Sequence, residues 1–290
     1  MKIGMCMFLW TTHIGPEHEP LLASIKEVGF DGVEIPVFEG TPEHYRDTAA
    51  MLDRIGLERT AVSAMGDPDM NLISGDAATR KAGLEFMDWA FDCTAALGAT
   101  QISGPLHSTL GAFSGEGPSK AEIGHFIETQ RQLGDLAASR GVVVGLEALN
   151  RFECYLVNTM DALCGHVRKI NHPNITAMYD TFHANIEETD PIGALTRNAD
   201  VISHIHISEN DRGVPGRGNI PWADTFKAIE QTGYNDWLTI ESFGRGLPDL
   251  AAATKVWRDF ADSPEQVYRE GYVHIRACME KAGLNTQYFF

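Results

Sequence analysis

The sequence predicts an α/β protein built as a single (β/α)8 TIM barrel with an extra C-terminal helix. Three observations carry that prediction. Short apolar runs alternate with longer amphipathic segments along the whole chain, and eight such units can be counted. Strict βα alternation calls for a parallel sheet, and eight parallel strands close on themselves. An open doubly wound sheet would want a GxGxxG turn after the first strand, and none is present. With no linker rich in Pro, Gly or Ser, all of 1–290 is read as one domain.

Lys2–Trp10 reads as the first strand and Glu19–Val28 as a helix closed by Gly29. Gly32–Pro36 and Thr41–Ile55, closed by Gly56, make the second unit. Arg59–Ala64 is the third strand, and Asp76–Leu97 is a long helix with Leu84, Met87 and Phe91 at helical spacing. Thr100–Ser103 leads through a glycine-containing loop, His107–Pro118, to the helix Ser119–Ser139. Val142–Leu149 (VVVGLEAL) starts as the continuous apolar run of a strand buried on both faces. Thr159–Ile170 follows, then the strand Ile175–Asp180 and a short helix near Pro191–Asn198. Val201–Ile207, Trp222–Thr232 and Trp237–Glu241 complete the barrel. Leu250–Phe260 and Pro264–Ala282 are expected to be helical.

Composition narrows the function. Lys+Arg total 23 against 40 Asp+Glu, a net charge of −17. Such a surface repels phosphate backbones and anionic lipid, so neither nucleic acid nor membrane is an expected partner. No apolar stretch reaches the ~18 residues of a membrane span. The N-terminal MKIGMCMFLW is too short for a signal peptide and is read as strand. Five cysteines without CxxC spacing suit a reduced, cytoplasmic protein.

In a parallel barrel every strand delivers its C-terminal end to one rim. Glu147 stands near the end of the fifth strand, Asp180 ends the sixth, His204 and His206 lie in the seventh, and Glu241 ends the eighth. They are spaced by roughly one 30-residue βα unit each. Taken singly, such a carboxylate reads as a helix cap or salt-bridge partner. Together, three carboxylates converging in a buried rim would repel one another at a cost of several kcal/mol each. A cation removes that cost. An oxygen-rich set with one imidazole suits Mn²⁺, Mg²⁺ or Co²⁺, and no cysteine stands where a structural zinc site would need one. His204 and His206 share parity, so periodicity does not choose between them.

Longer motifs are more specific. GLEALNRFE (145–153), YDTFHANIEE (179–188), HIHISENDRG (204–213), PGRGNIPW (215–222) and KVWRD (255–259) resemble the D-tagatose 3-epimerase/D-psicose (allulose) 3-epimerase family of ketose 3-epimerases, within the xylose-isomerase-like barrel superfamily. MNLIS (70–74) and GPLHS (104–108) extend the likeness toward the N-terminus. The resemblance implies that Glu147, Asp180, His206 and Glu241 hold one divalent ion, Mn²⁺ first among the candidates, with Co²⁺ and Mg²⁺ as others. It implies that Glu147 and Glu241 form an acid/base pair, and that Glu153, His183 and Arg212 contact the sugar. A free ketose is then the partner, epimerised at C3 through a cis-enediolate, by a homodimer or homotetramer. Tyr288–Phe290 offer apolar surface for that assembly.

The first half is expected to shape the remote end of the pocket. Trp10 is a candidate floor, alternating with Cys6 and Phe8 on the first strand; Glu34 at the second strand and His107 after the fourth are further candidates. Cys6 and Ile14 stand where some members of the family carry aromatics. Other readings of the same fold are an aldose–ketose isomerase, an isomerase of 3-oxo-glycosides or inositol derivatives, and a sugar-binding barrel without turnover. The first usually adds a lysine beside the metal, and none sits near these strand ends. A trinuclear-zinc endonuclease would need more histidines and a basic groove.

Overall fold

The computed structural model describes residues 1–284. Eight parallel strands close a barrel in chain order: β1 (Lys2–Cys6), β2 (Gly32–Pro36), β3 (Glu58–Val62), β4 (Gln101–Gly104), β5 (Val143–Glu147), β6 (Ile175–Asp180), β7 (Ile202–Ile207) and β8 (Trp237–Ile240). Closure runs from Lys2↔Trp237 to Met5↔Ile240. Strands β2, β4 and β8 are buried at every residue, as expected of a sheet covered on both faces.

The helices that cover it are α1 (Glu19–Val28), α2 (Pro42–Ile55), α3 (Ala77–Ala96), α4 (Lys120–Ala138), α5 (Met160–Ile170), α6 (Thr181–Glu187), α7 (Pro191–Asn198), α8 (Trp222–Thr232), α9 (Pro248–Ala253) and α10 (Pro264–Ala282). Their starts are written in side chains. Ser119 and Glu122 form a reciprocal capping box, and Asp76 accepts from the amides of Ala78 and Thr79. Gly104 ends β4 at φ +131°, where a Cβ would stand 2.2 Å from the Ser63 carbonyl oxygen; no other residue fits there.

Three expectations are corrected. The first strand stops at Cys6, because the amides of Trp10 and Thr11 bond the Met7 carbonyl and wind Met7–Leu9 into a 3₁₀ turn. The helix expected over Leu250–Phe260 occupies Pro248–Ala253 and ends before Lys255, whose φ of +62° turns the chain so that Val256 buries. Helix α6 was not expected at all. Tyr288–Phe290 lie outside the described residues.

Among the described residues no helix is long and apolar enough to cross a membrane. One side chain illustrates the helix–barrel packing: Phe226 of α8 is wholly buried. Phe226→Ala is expected to cost about 3–5 kcal/mol, read as a lowered urea midpoint at unchanged slope.

Candidate metal centre and active site

The barrel geometry decides where the polar groups meet. Glu147 is the last residue of β5 and Asp180 the last of β6. His206 lies directly opposite Asp180 in the β6–β7 register, and Glu241 follows β8. One ligand atom from each of Glu147, Asp180, His206 and Glu241 lies within 4.8 Å of the others, and all four residues are buried. His206 Nδ1 stands 3.5 Å from Glu241 Oε1 and 3.9 Å from Asp180 Oδ2. Among the described residues neither that nitrogen nor Glu147 Oε1 has a partner in good hydrogen-bond geometry. Three buried carboxylates around an unpartnered imidazole nitrogen are the donor set a hard divalent cation takes. The residues therefore fit a metal ion, and of the two histidines it is His206 that faces this group.

Asp180 also caps a helix. Its Oδ1 accepts the Phe182 amide at 2.7 Å and starts α6. That turn brings His183 back over the rim. The Asn150 amide donates to His183 Nδ1 at 3.0 Å. Its Nε2 lies 3.0 Å from Arg212 Nη2, which can only donate to it, and 3.5 Å from Glu147 Oε1, and the ring lines the cavity. Burial, helped by the charge of Arg212, pushes the imidazole down to about 3, so it stays neutral. Asn150 also donates from Nδ2 to Glu153 Oε1 at 2.8 Å, tying the two residues together. Burial raises the Glu153 carboxyl despite Arg212 nearby.

Arg212 enters from the loop after β7, with its backbone in the left-handed region at φ +64°. Its carbonyl accepts from the Phe243 amide and the Ser242 hydroxyl. Its guanidinium lies 3.8 Å from the ring centre of Phe182 and 4.9 Å from that of Phe243. It donates to Asp180 Oδ2 at 2.9 Å and to Glu241 Oε2.

The two glutamates are electrostatically unlike. Burial, then the charges of Glu241 and Asp180, lifts the Glu147 carboxyl well above the ordinary range. Burial acts the same way on Glu241, but Arg212 and His206 outweigh it and hold that carboxyl low. A pair pushed apart in this way can act as acid and base at one pH.

One cavity collects these groups. Glu147, Glu153, His183, Arg212 and Glu241 line it together with Phe8, Phe38, Val62, Phe243 and Leu250. Four residues read from the sequence as pocket candidates do not line it. Trp10, past the 3₁₀ turn, packs 5.9 Å from Tyr268 of α10. Cys6 is buried in a cluster with Phe8, Val62 and Phe243; burial, with Glu34 and Glu241, raises its thiol well above its usual value. His107 stands behind Glu147, its Nε2 2.8 Å from the Glu147 carbonyl oxygen, and burial pushes it down to about 4. Glu34 touches histidines of β7. Asn150, Phe182 and Phe38 were missed; Asn150, three residues before Glu153 in a loop, was the one spacing could have flagged.

Comparison with known proteins gives the family. The family described as xylose isomerase-like TIM barrel matches residues 22–278. A ketose 3-epimerase of Arthrobacter globiformis is 32% identical over 275 residues, 91% of this chain and 92% of the relative. The chain belongs to the ketose 3-epimerase family. As such it is an isomerase acting on carbohydrates. Solved ketose 3-epimerases share its shape. An L-ribulose 3-epimerase structure matches with a TM-score of 0.92 at 27% identity, covering 97% of this chain and 95% of the other. A Methylomonas sp. D-allulose 3-epimerase, in complex with D-allulose, gives 0.89 at 26% identity and covers 96% of each chain.

Proposed function

We propose that this ketose 3-epimerase family member interconverts free, unphosphorylated ketoses at C3, with one divalent ion held by Glu147, Asp180, His206 and Glu241. The carrying observation is the pair Glu147 and Glu241: two carboxyls within one four-ligand cluster, both lining one cavity. When bound, a divalent ion, Mn²⁺ first among the candidates, supplies Lewis-acid polarisation of the ketose carbonyl.

The rest is the work of side chains. The ionised carboxylate takes the proton from C3, and the electron pair left behind delocalises toward the C2 oxygen as an enediolate. The protonated carboxyl delivers its proton to the opposite face of C3. Each glutamate is base for one epimer and acid for the other, so the pair is reset by the reverse reaction. The Arg212 guanidinium is the donor for oxygens that gain charge, with His183 lining the cavity beside it. Glu153 accepts from a sugar hydroxyl near them.

The rest of the cavity lining argues for free sugars. Apart from the five charged or imidazole residues it is apolar save for Ser63 and Thr254, whose hydroxyls are spent on the Val37 carbonyl at 2.7 Å and the Leu250 carbonyl at 2.8 Å. Arg212 is the one Lys or Arg among the described lining residues, and it is already paired with Asp180 and Glu241. A phosphate placed against the apolar lining would lose its hydration without a partner. Five buried, unpaired cysteines suit the cytoplasm, and α10 with its exposed Val273 offers surface for a homodimer or homotetramer.

The experiment is product analysis by NMR in D₂O with D-fructose, D-allulose, D-tagatose, D- and L-ribulose, and a matching ketose phosphate. Deuterium entering at C3 with inversion is the expected result, and the phosphate should lose about 100-fold in kcat/KM (~2.7 kcal/mol). Hydrogen moving between C1 and C2, or no exchange on any ketose, overturns the reading.

A further inference from the structure

Sharing His206 with the four converging groups is a second buried cluster, whose other members the proposed chemistry does not use. Glu34 of β2 reaches across the barrel to β7, where His204 and His206 share a face. Glu34 Oε2 lies 2.8 Å from His206 Nε2, and Oε1 lies 3.0 Å from His204 Nε2. The Thr60 hydroxyl donates to Oε1 at 3.4 Å. Glu34, His204 and His206 are all fully shielded from solvent.

Their ligand atoms too lie within 4.8 Å of one another. Yet two ligands at about 2.1 Å from one ion stand roughly 3.0–3.4 Å apart. The direct 2.8 Å contact of Glu34 with His206 leaves no place for an ion between them. Glu34 is held there by the hydrogen bonds from His206 and Thr60, with His204 Nε2 beside it at 3.0 Å.

We propose that Glu34 is a positioning residue for the metal centre: by accepting the Nε2–H of His206 it fixes the tautomer whose Nδ1 lone pair faces Asp180 and Glu241, while the Thr60 hydroxyl holds its other oxygen. An ionised carboxylate only accepts, so the imidazole must place its single proton on Nε2. That leaves Nδ1, which has no hydrogen-bond partner closer than Glu241 Oε1 at 3.5 Å among the described residues, as the donor atom. The grip on both oxygens stops the carboxylate from rotating away. A glutamine at this position would present an NH₂ group to one of the two rings. Where that ring is His206, Nε2 becomes an acceptor and the proton moves to Nδ1, blocking it.

This inference rests on His206 being a ligand, and the test separates the two claims. Mn²⁺ is titrated into the full-length wild type, E34Q and E34D in competition with a chelating dye. E34Q is expected to bind about 10–100-fold more weakly, with part of the loss restored in E34D. Wild type that binds while E34Q matches it overturns the role of Glu34 alone. Wild type that binds no Mn²⁺ overturns the ligand set and this role together. Should E34Q not fold, ¹⁵N-histidine NMR of the wild type loaded with diamagnetic Mg²⁺ decides: a proton on Nε2 of His206 is expected, and a proton on Nδ1 overturns the proposal.

Discussion

Glu147→Gln and Glu241→Gln will each lower ketose epimerisation by about 10²–10⁴-fold or more while leaving the barrel folded. The expectation follows from what each carboxyl must do. Epimerisation moves a proton off one face of C3 and onto the other, so a single base cannot complete the cycle without reorienting the intermediate. A glutamine keeps the size and one oxygen of the glutamate and loses its ability to take or give a proton. The two groups are also not interchangeable in their resting state, since Glu147 is biased toward the neutral form and Glu241 toward the ionised form. Removing either should therefore stop inversion. Metal content measured on each variant separates lost proton transfer from a lost ligand. Near-normal turnover in either variant would remove the two-carboxylate mechanism.

Exhaustive chelation with EDTA should abolish activity, and added Mn²⁺ or Co²⁺ should restore it. The physical basis is the charge crowded into the rim. Glu147, Asp180 and Glu241 meet in a buried space where Arg212 and His206 are the nearby cationic or donor groups. Carboxylates taken out of water at this spacing repel strongly unless a cation stands among them. An ion that binds only the folded state also stabilises it, by about 2.7 kcal/mol at a concentration a hundredfold above Kd. A rise in Tm on adding Mn²⁺ to the chelated protein is thus expected alongside the regained activity. Full activity in metal-stripped protein would count against the whole arrangement.

The barrel was legible because its covered strands leave unbroken apolar runs, as in VVVGLEAL, with glycines closing the intervening helices. The four ligands were legible for a related reason: parallel strands send their ends to one rim, so unit spacing becomes proximity. Other features have no such rule. Glu34 meets His204 and His206 across the barrel from a strand far away in sequence, and no periodicity reports that contact. Helix α6 is seven residues long, too short for a helical repeat, and owes its start to a carboxylate read only as a ligand. The alternation of Cys6, Phe8 and Trp10 imitates a strand that had already ended, which carried Trp10 out of the pocket it was expected to floor.

The guanidinium of Arg212 is clasped between two aromatic rings and tethered through its own carbonyl before any sugar arrives. A long cationic side chain usually forfeits rotational freedom at each encounter with a ligand. Here that immobilisation is completed once, while the chain folds. Incoming sugar meets a rigid, already aimed counter-charge, so calorimetric entropy losses on docking should come from the sugar far more than from the protein.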